Sequence, residues 1–299
     1  MFSVSFIFLL APVAFAFPTS VKRASYANTR VSLREDLQDA WYSDWNETST
    51  EVKKQYNPSA FYTCAGPLID DYPSKTEWLD FATLWDINNP IITTANNGDE
   101  YNQYIKEAIQ DISSRSRVDA RLVLAMIMQE VNFSYTHSIH PCTNTLQSAG
   151  KVDVHCTGPT ERDCGLMQLR GSRAFSKTSP KESIRNMIID GIYGTAPQPD
   201  ADIPYGNPGY LTLFNGAQSD LAWLGGEFFW RGNPYAAAHL YNAGSISGPN
   251  LAVVDGGVER SKYYANDIAS RLLGWNGSME GCLKSRECGQ LEFGKRICA

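Results

Sequence analysis

The sequence has no lysine- or arginine-rich run, no glycine loop of the kind that cradles nucleotide phosphates, and no apolar stretch long enough to cross a bilayer. Lys and Arg total 26 against 32 Asp and Glu, a formal net charge of −6. Phosphate backbones are bound by clustered cationic side chains, so nucleic acid is an unexpected partner. A membrane-spanning role is unexpected for want of a span. Histidine is scarce, at four residues. His137, His140 and His155 stand near Cys142 and Cys156, but their spacings fit no zinc signature and no metal site is expected there. No long alternating pattern of apolar and polar residues appears, which argues against an extended sheet.

What is present first suggests export. Phe6 to Phe17 is a short apolar run, and Ala14-Phe15-Ala16 supplies a small-x-small cleavage site, so 1–16 is expected to be a signal peptide despite the lack of Lys or Arg before the run. Lys22-Arg23 reads as a dibasic processing site or as a plain exposed pair of charges; on the first reading 17–23 is a propeptide and the mature chain is expected to start near Ala24. Seven cysteines in a secreted chain point to disulfides with one thiol left over. Cys142, Cys156 and Cys164 are set to staple one loop, and Cys282, Cys288 and Cys298 to tie down a 276–299 tail, with Cys64 as the outside candidate. Three sequons, at Asn46, Asn132 and Asn276, permit glycosylation in a eukaryotic secretory route. A hydrophobic fraction of 43% is ordinary for a soluble domain.

Residues 24–98 have poor periodicity, scattered prolines and four tryptophans, Trp41, Trp45, Trp78 and Trp85; they read as an N-terminal extension with aromatic core anchors. From Asp99 the pattern is helical. Tyr101, Tyr104, Ile105, Ala108, Ile109 and Ile112 recur at helical spacing behind Asp99 as N-cap. Ser179-Pro180-Lys181-Glu182 is a capping box opening a helix expected to end before Gly191. Asp220 to Trp230, Pro234 to Asn242 and Ser261 to Leu273 are further helices, with a Pro/Gly-rich loop from Pro197 to Gly216. The expected fold class is mainly α, a helical domain with a disulfide-stapled loop and an N-terminal extension.

The most apolar helix is expected over Val118 to Phe133, and Glu130 stands near its end, with Val123, Met126 and Ile127 one and two turns back. Burial disfavours a carboxylate and the negative pole of a helix C-terminus pushes the same way, so its pKa is expected to rise. A carboxyl of that kind can act as a general acid. Further on come Gly165-Leu166-Met167-Gln168 and Ala238-His239-Leu240-Tyr241-Asn242-Ala243-Gly244. Gly165 permits close approach of a sugar ring or of neighbouring backbone, and Gln168 offers both donor and acceptor. Leu166 and Met167 read as core, as Tyr241 does on its own, although a phenol at that point could also hydrogen-bond Glu130 or an acetamido group.

Glutamate at a helix end, then Gly-Leu-Met-Gln, then a Tyr-Asn-Ala-Gly segment, in that order over roughly Asp99 to Trp275, resembles the lysozyme-like transglycosylases, the soluble lytic transglycosylase and goose-type lysozyme group. The resemblance implies a lysozyme-like domain at 99–275, Glu130 as the catalytic residue, and substrate contacts from Gly165, Leu166, Met167, Gln168, Tyr241, Asn242 and Tyr264. It also implies a polysaccharide substrate and no metal or organic cofactor; nothing indicates an oligomeric state. Val131 departs from the family's usual serine. The stretch between Glu130 and Gly165 is longer than the family's short loop, and such loops set what binds.

The function expected is cleavage of β-1,4-linked N-acetylated amino-sugar polymers, peptidoglycan or chitin, the acidity of the chain favouring the nearly neutral polymer. Transglycosylation needs one carboxylate, whereas an inverting hydrolase needs a second one about 6.5–9.5 Å away. Asp153, Glu161 and Asp163 are the candidates near the motifs, and Glu130, the carboxylate a motif places, favours transglycosylation. Rival readings are a sugar-binding protein that keeps the groove without turnover, and an interaction module carried by the N-terminal tryptophans.

Overall fold

A computed structural model of the chain describes residues 68–130, 149–153, 162–198, 206–215 and 232–277, together with Gly66 and Cys156. After a 3-10 turn at Ile69–Asp71, the described residues form seven helices: α1 (Phe81–Ala95), α2 (Asn102–Ser116), α3 (Ala120–Glu130), α4 (Pro180–Tyr193), α5 (Tyr210–Phe214), α6 (Pro234–Ala243) and α7 (Ser261–Leu272). A two-stranded antiparallel hairpin, β1 (Asp163–Cys164) and β2 (Leu169–Arg170), lies between α3 and α4, with Asp163 opposite Arg170 and Cys164 opposite Leu169. The fold is mainly helical, as the periodicity predicts.

The centre of the packing is α3. Every residue from Ala120 to Gln129 is buried, because the helix is enclosed by α1, α2 and α7. Its entry is anchored by Arg121, whose guanidinium pairs with Asp119 at 2.7 Å and lies over the Trp78 ring at 5.0 Å. A charge so enclosed needs both a counter-ion and an apolar lid for its stem, and these two neighbours supply them. Around this axis, α2 packs on α4 and α6 packs on α7, while α5 bridges α4 and α6.

The stretch read as irregular before Asp99 contains a full helix. In α1 the Asp80 carboxylate caps the first turn, accepting from Thr83 N at 2.8 Å. Pro90 sits inside the helix, and the hydroxyls of Thr93 and Thr94 bond back to the carbonyls of Asn89 and Pro90. Trp78 and Trp85 are core residues, in the same apolar cluster as Ile109, Met126 and Ile268. Trp41 and Trp45 lie outside the described residues, as do the expected signal peptide, the propeptide, the Asp220 to Trp230 helix and the C-terminal cysteines.

Other boundaries also differ. Asp99 is not the cap of α2: Tyr101 holds that position without a side-chain bond, and Asp99 contributes its backbone carbonyl to Asn102 N at 3.1 Å. Ser179 precedes α4 and Pro180 is its first residue, but the Ser179 side chain makes no capping bond, so the box is not formed. The loop expected from Pro197 to Gly216 contains α5, whose five residues are all buried. Residues past Glu130 in the helix expected to reach Phe133 lie outside those described.

The helix expected to stop before Gly191 runs through it to Tyr193. Gly191 serves packing there: a Cβ at this position would stand 2.3 Å from Met167 Sδ and 2.6 Å from Met167 Cβ. Gly191→Ala should therefore lower the urea midpoint of unfolding. Overpacking of this kind costs about 1–3 kcal/mol, against about 1 kcal/mol of helix propensity gained by alanine, and the Met167 Cβ cannot swing aside. An unchanged or raised midpoint would show that the seat is loose.

Candidate active site

The hairpin turn is held in place from α4. Gly165 has φ +76°, and a Cβ on it would meet Met187 Cγ at 2.9 Å and the Arg173 carbonyl at 3.1 Å. Its lack of a side chain serves close packing of protein on protein, the second of the two alternatives open in the sequence. Just beyond the hairpin, Arg173 forms a two-pronged pair with Asp190 of α4, Nη2 to Oδ1 at 2.6 Å and Nε to Oδ2 at 2.9 Å, and its backbone N–H donates to Oδ2 as well. Cys164 is joined to Cys156 by a disulfide, so β1 is fastened on its other side too. Among the described residues no cysteine is free; Cys64, Cys142, Cys282, Cys288 and Cys298 lie outside them.

Leu166 and Met167 are buried in the core, as the sequence suggests. Gln168, with φ +45°, donates from Nε2 to the Gly165 carbonyl at 2.7 Å, which closes the turn. Tyr241 of α6 donates to the Met167 carbonyl at 2.8 Å. The bond that this phenol could make to Glu130 is made by Tyr264 of α7, whose hydroxyl donates to Glu130 Oε1. Asn242 is half-buried, and its Oδ1 accepts no hydrogen bond from the described residues.

Glu130 is half-buried at the C-terminus of α3. Burial pushes its carboxyl up to about 8 against the pull of the Tyr264 hydroxyl, and the negative charge of Asp163 adds to the rise. Tyr241 and Tyr264 are both raised, chiefly by burial and then by the nearby Glu130 charge, so both phenols keep their protons and remain donors. Asp163 is half-buried, raised by burial and opposed by Arg170 across the hairpin. Of the other two candidate carboxylates, Asp153 is exposed and paired with Lys177 at 3.3 Å, and Glu161 lies outside the described residues.

The three motif segments thus meet: α3 brings Glu130, the hairpin brings Asp163 and the Met167 carbonyl, and α6 brings Tyr241, with Tyr264 added from α7. Sequence reasoning passed over the α4 seat of Met187, Asp190 and Gly191; a glycine inside an otherwise helical pattern was its one visible sign. It also passed over His239, buried in the third motif with Nε2 at 2.9 Å from Asp255 Oδ2. Among the described residues no group of three or more His, Cys, Asp or Glu is arranged to hold a metal, and no helix is long and apolar enough to cross a membrane. His137, His140 and His155 lie outside them. No family model, no curated protein and no solved structure matches this chain.

Proposed function

We propose that the chain is a secreted, lysozyme-like glycosidase that cleaves β-1,4-linked N-acetylated amino-sugar polymers, with Glu130 as the proton donor. The observation that carries this reading is a carboxyl held protonated near neutral pH by burial, oriented by the Tyr264 hydroxyl, and accompanied by a second carboxylate within electrostatic reach. Pairs of carboxyl groups whose environments push their pKa values apart are the usual equipment for cleaving a glycosidic bond. The disulfide, together with the short apolar run at Phe6 to Phe17 expected to be a signal peptide, supports an exported protein.

Asp163 favours hydrolysis over the transglycosylation that Glu130 alone suggested. Glu130 delivers its proton to the glycosidic oxygen as the bond to the anomeric carbon breaks. Asp163 takes a proton from water as the water oxygen bonds to that carbon from the opposite face. Its raised pKa makes it a stronger base than an ordinary aspartate.

Digestion of chitin oligomers and of peptidoglycan in heavy-oxygen water tests this. Solvent oxygen at the new reducing end of every product is the expected result. Products closed internally as anhydro sugars, without solvent oxygen, would replace hydrolysis by transglycosylation. Binding of oligomers without any product would leave a sugar-binding protein.

A further inference from the structure

Gln129, the residue before Glu130, is buried, and both ends of its amide are used by α7. Nε2 donates to Asp267 Oδ2 at 2.9 Å, and Oε1 accepts from Arg271 Nε at 2.7 Å. Tyr264, Asp267 and Arg271 follow one another at intervals of three and four residues, which aligns them on one face of α7. The first of them donates to Glu130. Two consecutive residues at the end of α3 are therefore gripped by a single stripe of its neighbour.

The grip is directional. An amide presents a donor on one arm and an acceptor on the other, and α7 offers a carboxylate to the first and a guanidinium to the second. Reversing the amide would set like groups against like. Arg271 is in turn covered by the Trp275 ring at 4.8 Å, and Asp267 is near enough to Tyr72 to add to the rise that burial gives that phenol. Charges this enclosed hold their geometry tightly because any departure strands them.

The geometry points to Gln129 as a positioning residue: its amide sets the rotation of α3 against α7 so that the Tyr264 hydroxyl meets the Glu130 carboxyl. The kinetic half of this inference rests on Glu130 being the acid proposed above; the structural half does not. The groups facing Glu130 are Tyr264 from α7, Tyr241 from α6 and Asp163 from β1, with Arg170 behind Asp163 on β2. Of these, the Tyr264 hydroxyl pulls the Glu130 titration down. A clamp that serves stability alone would not influence that titration.

The test is carbon NMR of glutamate-labelled protein, with the Glu130 carboxyl assigned by its loss in Glu130→Gln. In Gln129→Met, which keeps the length and apolar bulk but neither hydrogen bond, the Glu130 midpoint should move above about 8, in the same direction as in Tyr264→Phe. On an amino-sugar oligomer kcat should fall about tenfold or more with KM within about twofold, because the acid is displaced rather than the substrate. A lowered melting temperature with the midpoint and kcat unchanged would overturn the inference. Should Gln129→Met fail to fold, Gln129→Asn, whose shorter amide cannot reach both Asp267 and Arg271 and which adds no charge, carries the same two readings. Wild-type protein that cleaves no oligomer would sink the proposed function, while the NMR midpoint would still decide whether Gln129 positions Glu130.

Discussion

Glu130→Gln should reduce turnover of an amino-sugar oligomer by about a hundredfold or more while leaving oligomer binding in place. Glutamine has the shape of the protonated acid and can accept the Tyr264 hydrogen bond, but it has no proton to give to the glycosidic oxygen. In the wild-type protein kcat/KM should fall as pH rises through about 8, where the proposed donor loses its proton. The same substitution should stabilise the fold in alkaline solution. The folded-state pKa of about 8 lies above the ordinary value of 4.5, so between those two values the folded protein binds more protons than the unfolded chain. Stability is then lost progressively as pH rises across that window, and glutamine, which cannot ionise, does not lose it. Chemical denaturation of both proteins should give similar unfolding free energies near pH 4 and one higher in the variant by about a few kcal/mol at pH 8. Unchanged turnover, or a variant no more stable at pH 8 than at pH 4 relative to wild type, would remove Glu130 from the role of buried acid.

Asp163→Asn should reduce release of reducing ends by about a hundredfold or more, with at most a small change in melting temperature. The half-buried carboxylate is attracted by Arg170 across the hairpin, so an amide of the same shape loses that attraction while relieving the cost of burying a charge. It does remove the group that would take a proton from the attacking water. The substitution also takes a negative charge from the vicinity of Glu130, so any residual activity should lose its alkaline limb at a lower pH than wild type. Asp153→Asn is the matched control, since Asp153 is exposed and paired with Lys177. Full activity in Asp163→Asn, with anhydro sugar at the product ends, would return the chemistry to a single carboxylate.

Helices whose apolar residues keep the period were legible in the sequence, and those whose reasons lie elsewhere in the fold were not. Ile105, Ala108, Ile109 and Ile112 sit on the buried face of α2 as their spacing requires, and α6 begins at Pro234 because Asn233 caps it through Tyr235 N and Ala236 N. α1 escaped because Pro90 and the paired asparagines Asn88 and Asn89 interrupt its apolar stripe; Asn88 is nevertheless buried, bonded through Nδ2 to the Leu84 carbonyl. Gly191 was taken for a stop signal because only the partner across the gap, Met167, explains it. The hairpin has two residues in each strand, too few for any alternation to register.

In the candidate site the burial around Glu130 was legible because it can be read from Leu122 to Met128 alone. The hydroxyl that meets its carboxyl was not. Tyr241 and Tyr264 are both phenols on helices that follow the hairpin, and which one reaches Glu130 depends on how α6 and α7 are rotated. Likewise nothing in the chain order reveals that Gln129 meets residues 138 and 142 positions away.

The link from α6 to α7 is pinned by one residue. Asp255 takes His239 of α6 through its carboxylate, and its backbone N–H donates to Ser261 Oγ at the first residue of α7. Tyr241 lies two residues beyond His239 and Tyr264 three beyond Ser261, so a single aspartate couples the helices that carry both phenols. The stretch between them is itself tied in, with Leu251 wholly buried, the Pro249 carbonyl accepting from Ile69 N at 2.9 Å and the Val253 carbonyl accepting from Ser261 Oγ, so a change at position 255 loosens a link already braced at both ends.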